Sequence, residues 1–234
     1  MKITQDLLTV NPYSRPGTRL QQVTKIAVHY VGNPGSTAKN NRDYFESLRL
    51  NHATKVSSHY IVGLQGEIIQ CIPESEWSYC TNEANGYSIS IETCHPDATG
   101  KFTAVSEQAL AELVADLCKR HGLDPYKDVI RHYDVTGKHC PKWYVDHPED
   151  WAKFRERVAS LLRPAAYAVK IGMFNREADA RETAEKVKDL GFYREVKQDG
   201  AQWYVLVYSF TDKAKADALA WVLNNQRYTV VKAM

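Results

Sequence analysis

At 234 residues the chain exceeds one average domain, and with 44% hydrophobic and 25% charged residues it falls in the ordinary globular range, so two compact units are expected. A formal net charge of +2 is too small for a duplex nucleic-acid binder, and no apolar run approaches the length that spans a bilayer. Residues Met1 to Val10 lack the basic start and long apolar stretch of a secretory leader, and the odd count of five cysteines, Cys71, Cys80, Cys94, Cys118 and Cys140, does not resemble a disulfide-stapled scaffold. Most of these are expected to be reduced, buried thiols.

In chain order, Thr24 to Val31 (T-K-I-A-V-H-Y-V) reads as a buried strand that ends at Gly32, Asn33 and Pro34. Asn40 to Leu50 can form a short helix. Further strands are expected at Ser58 to Leu64, at Glu67 to Ile72 beyond a Gln65-Gly66 turn, and at Ser88 to Cys94. Thr103 or Ser106 can cap a helix with Leu110, Leu113, Val114 and Leu117 on one face, ending near Gly122. A second amphipathic segment carries Trp151, Phe154, Val158 and Leu161, and Pro164-Ala165-Ala166 is a plausible linker.

Beyond that linker the sequence repeats at an offset of 36 residues, V-K-I-G-M-F from Val169 answering V-L-V-Y-S-F from Val205. Ala178 aligns with Ala214, Ala180 with Ala216 and Ala184 with Ala220. Two such units predict a β-α-β-β-α-β, ferredoxin-like α+β domain, in which the alanines let helices pack closely on the sheet. The first half, with its β-rich centre and covering helices, is expected to be α/β.

His29 at a strand end, with His132 and Cys140 in R-H-Y-D-V-T-G-K-H-C-P, offers the atoms zinc favours, and a catalytic site uses three protein ligands. Taken alone, His29 reads more readily as a satisfied structural residue, a reading that weakens for the three together. Lys138 and a bound cation would both favour the Cys140 thiolate. In S-I-S-I-E-T-C, strict alternation sets Ser88, Ser90 and Glu92 opposite Ile89 and Ile91, so Glu92 is either a cleft carboxylate or a solvated one. Lys138 carries the same ambiguity.

Four segments, I-A-V-H-Y-V-G-N, S-S-H-Y-I-V-G-L-Q-G-E-I-I-Q-C-I-P, S-I-S-I-E-T-C and R-H-Y-D-V-T-G-K-H-C-P-K-W, resemble in order the type 2 N-acetylmuramoyl-L-alanine amidases. The resemblance covers roughly Gln22 to Leu162, is closest to phage and prophage endolysins, and extends in fold to the peptidoglycan recognition proteins. It implies His29, His132 and Cys140 as zinc ligands, Glu92 as the residue that activates water, Lys138 as oxyanion stabiliser, and Asp134 as a loop-ordering residue. Some family members carry a catalytic Tyr before the His of the second motif, where this chain has Ser58, so the burden falls on Glu92. His59 could line the substrate groove, or make a structural hydrogen bond.

The repeated half resembles a SPOR domain, a family that binds glycan strands, with Tyr167, Trp203 and Tyr204 as candidates for sugar stacking or for core. The resulting expectation is a cell-wall hydrolase, an endolysin or autolysin, with residues 1–163 catalytic and 164–234 glycan-binding. Its partner would be peptidoglycan, with no nucleic acid and no integral membrane segment. Without a leader it would be made in the cytoplasm and act after release through a holin or lysis. Two rivals are a peptidoglycan recognition protein that binds without cutting, and a thiol hydrolase in which Cys140 attacks with His132 as its base.

Overall fold

The computed structural model describes residues 1–162, 167–189, 192–210, 213–222 and 228–232. Two compact units emerge, Met1–Ala159 and Ser160–Met234. The first contains β1 (Ile3–Gln5), β2 (Lys25–Tyr30), α1 (Ala38–Asn51), β3 (Tyr60–Val62), β4 (Ile68–Gln70), a 3-10 turn (Asn82–Gly86), β5 (Ser88–Thr93), α2 (Ala104–His121), β6 (Val129–Arg131), α3 (His132–Thr136), α4 (Lys142–Asp146) and α5 (Pro148–Leu162).

Its sheet runs β1-β4-β3-β5-β2-β6. The central strands β3, β5, β2 and β6 are parallel neighbours, while β4 turns back antiparallel on β3. This is the mixed α/β sheet expected. Strand parity divides its faces. Ile61 and Ile69 join Leu8, Val31, Ala38, Phe45 and Cys94 in one cluster with α1, and the opposite parity, Ile26, Val28, Val62, Ile89 and Ile91, is fully buried on the side that α2 covers. Parallel strands buried on both faces read as near-continuous apolar runs, as I-A-V does in β2.

Local chemistry sets the helix starts. In α1, Thr37 Oγ1 accepts the Asn40 backbone N–H at 3.1 Å while Asn40 Oδ1 accepts that of Thr37 at 3.1 Å, so the helix begins before the expected Asn40. Thr103 is the cap of α2, accepting from Ser106 N–H at 3.0 Å. Ser106, already inside the helix, donates to the Gly63 carbonyl at 2.8 Å and ties α2 to the β3–β4 hairpin. Gly122 closes α2 in the left-handed region at φ 68°. In α5, Trp151, Phe154 and Val158 are buried, whereas Leu161 is only partly so.

The second unit is β7 (Tyr167–Phe174), α6 (Glu177–Asp189), β8 (Tyr193–Asp199), β9 (Gln202–Phe210), α7 (Lys213–Val222) and β10 (Tyr228–Lys232), the β-α-β-β-α-β order that the repeat predicts. Its antiparallel sheet runs β10-β7-β9-β8. Of the repeated alanines, Ala180, Ala184 and Ala216 are buried against the sheet, and Ala178 and Ala214 are exposed. The Ala220 side chain and the 164–166 linker lie outside the described residues. Among the described residues no helix is long and apolar enough to cross a membrane.

One polar tie carries a pH signature. Glu74, beyond β4, accepts from both Arg120 guanidinium nitrogens at 2.6 and 2.8 Å, from His121 Nε2 at 2.8 Å and from the Tyr60 hydroxyl. Burial alone would raise its pKa, but the bonds from Arg120, Tyr60 and His121 outweigh it and hold the carboxyl at about 2. A folded-state value below the unfolded one stabilises the protein above the unfolded pKa, and that stability is lost as pH falls through the folded value. Urea denaturation is expected to show a loss on the order of 1–2 kcal/mol between about pH 4.5 and about pH 2 from this group, absent in Glu74→Gln.

Candidate active site

His29 is near the carboxyl end of β2, and Glu92 is its register partner on β5. His132 opens α3 directly after β6. Three side chains thus leave the same ends of three adjacent parallel strands, the place where open α/β sheets gather ligand sites. Cys140 is returned to them by the loop after α3. Gly137 ends that helix at φ 75°, a conformation that favours glycine, and Tyr133 N–H donates to the Cys140 carbonyl at 2.9 Å. Asp134 braces the turn, accepting the Arg131 backbone N–H at 2.8 Å and its guanidinium at 2.7 Å.

His132 Nδ1 lies 3.1 Å from His29 Nδ1, and Cys140 Sγ lies 3.7 Å from the same atom. All three donor atoms fall within 4.8 Å of one another, and all three residues are buried. A tetrahedral ion with Zn–N of about 2.0–2.1 Å and Zn–S of about 2.3 Å spaces its ligands about 3.3–3.6 Å apart, so the donor set fits one such ion.

Electrostatics point the same way. Burial, then His132 and Lys138, depress the His29 pKa well below its ordinary value, and burial with Lys138 depresses His132 to about 4. Both rings are therefore neutral at pH 7 with lone pairs to give. Burial and the Glu92 charge push the Cys140 thiol up to about 12, against the pull of the Tyr30 backbone N–H and Lys138. Without a cation beside it this sulfur stays protonated. Burial also raises Glu92 to about 8, opposed by Lys138 and by a bond from Cys80. Lys138 is exposed on the α3–α4 loop, with its charge felt by His29, His132, Glu92 and Cys140.

His59 belongs elsewhere, and its reading as a groove residue is corrected. It is fully buried, its Nδ1 accepts the Ser90 N–H at 3.0 Å, and its Nε2 donates to the Glu76 carbonyl at 2.8 Å, leaving no nitrogen for a ligand. In the second unit, Tyr167 and Trp203 pack partly buried against the helix-facing core, as expected of core rather than stacking residues. Tyr204 has the opposite parity, with Lys170 Nζ 4.1 Å from its ring centroid.

Two site neighbours escaped the sequence reading. Thr81 is fully buried, and its Oγ1 stands 2.9 Å from His29 Nε2. A proton on Nε2, donated to Thr81, leaves Nδ1 as the free donor. Cys80 Sγ lies 3.6 Å from Glu92 Oε1. Neither belongs to a helical or strand periodicity, and nothing in Y-C-T-N-E separates them from ordinary loop residues.

Residues 19–143 match the N-acetylmuramoyl-L-alanine amidase family. The chain belongs to it. Residues 164–230 match the SPOR domain. The chain is 40% identical over 175 residues to N-acetylmuramoyl-L-alanine amidase CwlL of Bacillus licheniformis, covering 69% of this chain and 48% of that one. It is 34% identical over 179 residues to N-acetylmuramoyl-L-alanine amidase BlyA of Bacillus subtilis, covering 68% and 47%. The chain thus spans about half the length of these relatives. Among solved structures, the catalytic domain of XlyA superposes with a TM-score of 0.58 at 28% identity, over 68% of this chain and 99% of that one.

The Thr81 contact yields a direct expectation. Thr81→Val keeps the shape but removes the acceptor for His29 Nε2, and metal affinity measured by chelator competition should fall about 10–100-fold with the fold retained.

Proposed function

We propose that this chain is a zinc-dependent amidase that hydrolyses the bond between the lactyl group of N-acetylmuramic acid and the first L-alanine of the peptidoglycan stem peptide. Residues 1–163 would catalyse and 164–234 bind wall glycan, as in a phage or prophage endolysin or a bacterial autolysin acting after release. The observation that carries this reading is the convergence of the His29, His132 and Cys140 donor atoms within 4.8 Å, in a chain of the amidase family.

Zinc bound there supplies Lewis-acid chemistry, polarising a carbonyl and acidifying water. Glu92 holds the proton of the attacking water. Its buried position keeps the carboxylate basic near neutral pH, and its oxygen Oε2 has no hydrogen-bond partner among the described residues. Water oxygen bonds to the carbonyl carbon as its proton passes to Glu92. The Lys138 ammonium offsets the negative charge that develops on the carbonyl oxygen. Collapse breaks the C–N bond, and Glu92 returns the proton to the departing L-alanine amine.

A recognition protein that binds without cutting would not need a complete donor set beside a partly buried carboxylate. A Cys140 nucleophile is disfavoured by the sulfur itself, which is buried and, with its pKa pushed up to about 12, protonated at neutral pH without a cation. In the second unit, Tyr204 lies on the sheet face away from the helices and is the aromatic residue proposed to stack on sugar.

Digestion of purified sacculi followed by mass spectrometry tests the bond cleaved. Stem peptides beginning with L-alanine beside intact glycan are expected, and muropeptides cut within the glycan would defeat the proposal. Glu92→Gln should lose about 10²–10⁴-fold in rate while retaining its metal, whereas Cys140→Ser should lose metal and activity together. Tyr204→Ala should weaken retention on sacculi in a pelleting assay without changing metal content.

A further inference from the structure

His29 belongs to two donor sets. Besides His132 and Cys140, the atoms offered by His29, Cys80 and Glu92 also lie within 4.8 Å of one another. Cys80 is fixed by its loop, since Asn85 Oδ1 accepts the backbone N–H of Cys80 at 3.0 Å and that of Thr81 at 2.7 Å. This clamp directs the thiol at β5, where Sγ stands 3.6 Å from Glu92 Oε1. An ion bonded at about 2.3 Å to sulfur and about 2.0–2.2 Å to oxygen separates those atoms by about 3.6 Å when tetrahedral. Cys80 and Glu92 are therefore already spaced as two ligands of one cation. Glu92 Oε2 is in addition buried without a hydrogen-bond partner among the described residues, an acceptor that a cation would satisfy.

The reaction proposed above makes no use of Cys80. We infer that Cys80 and Glu92 form a second, inhibitory cation site adjoining the first, suited to thiophilic divalent ions such as cadmium or excess zinc. His29 Nδ1 is committed to His132 and Cys140, and Nε2 faces Thr81 at 2.9 Å, so the second ion takes one sulfur and one carboxylate oxygen from the protein and water for the rest. Binding breaks the Cys80 S–H bond, forms a metal–sulfur bond and releases that proton to solvent together with any proton held on Glu92, with no change in oxidation state. A hard ion such as magnesium gains little from the sulfur and is excluded by preference. The inhibition rests on Glu92 acting as the base, because a carboxylate engaged by a cation no longer accepts the proton of water.

The test uses the full chain loaded with its first equivalent of zinc and titrated with cadmium chloride. Bound zinc and cadmium are counted by emission spectroscopy after gel filtration, with proton release and thiolate-to-metal ultraviolet absorption followed in parallel. Uptake of about one cadmium per chain with zinc retained is expected, with about one to two protons released, a gain in thiolate absorption and loss of lysis along the same curve. Magnesium should leave all of these unchanged. Cys80→Ser should weaken the second equivalent and the inhibition by roughly tenfold or more while keeping the first ion. Cadmium that merely replaces zinc, a second ion bound without thiolate absorption, or a Cys80→Ser chain that is inhibited as before would overturn the inference, and the first two are read on the unaltered protein. Failure of the amidase reading has a different signature, a chain without a tight first ion or without lytic activity.

Discussion

Two neutral imidazole nitrogens held 3.1 Å apart in a buried pocket set the terms for the whole first unit. Lone pairs facing each other at that distance repel unless a proton or a cation lies between them. Burial and the nearby Lys138 charge oppose a charged ring, so the gap is bridged either by the Nδ1 hydrogen of one neutral tautomer or by a cation that both lone pairs can share. The geometry persists because neither ring is free to turn away. One hangs from a strand paired on both edges and the other from the residue that follows the neighbouring strand. The closely packed parallel sheet thereby holds two nitrogen donors at a fixed separation, as a site prepared for an ion requires.

The surrounding polar network extends this control outward. Thr81 orients His29, and Asn85 orients the loop that carries Thr81. The same loop is anchored upstream, where Ser78 and Ser90 hydroxyls meet at 2.6 Å and Ser57 Oγ accepts the Tyr79 N–H at 3.0 Å. His59 joins Ser90 to the Glu76 carbonyl and so stands beneath this chain of bonds. Its position in a motif is explained by architecture, since a buried imidazole with both nitrogens satisfied crosslinks β5 to the loop that bears the outer partner of His29.

Much of this was legible in the sequence, for physical reasons that can be named. The period of two placed Glu92 opposite Ile89 and Ile91, the zinc-favoured atoms singled out His29, His132 and Cys140, and the family resemblance supplied their roles, while the 36-residue repeat exposed the second fold because each half must bury the same face. The strands β1 and β6 were not foreseen, because three residues such as V-I-R are too short to show any period, and pairing with distant β4 and β2 makes them strands. Cys80 and Thr81 were invisible for a similar reason. Their placement depends on a side-chain clamp from Asn85 across a 3-10 turn, which no local pattern encodes. Asp134 was singled out by the family resemblance alone, and the structure supplies the reason, an acid three residues after Arg131 closing on that residue's own backbone.

The second unit separates its aromatic residues by the same parity. Trp203, Val205 and Val207 face the helices with Ala180, Ala184 and Ala216, which closes one side of the sheet to any ligand. The other side carries Tyr204 with Lys170, and Tyr193 and Tyr208 whose hydroxyls both reach Glu195, itself paired with Lys197 at 3.1 Å. Rings offer a flat apolar surface, while the carboxylate and ammonium groups between them can exchange hydrogen bonds with hydroxyls. That mixture suits the polyhydroxylated glycan proposed above better than it suits a purely apolar partner, because each charged group would lose its water to an apolar surface without compensation. Adjacent positions in β9 therefore point to opposite sides of the sheet, with Trp203 packed toward the helices and Tyr204 on the face proposed to meet glycan.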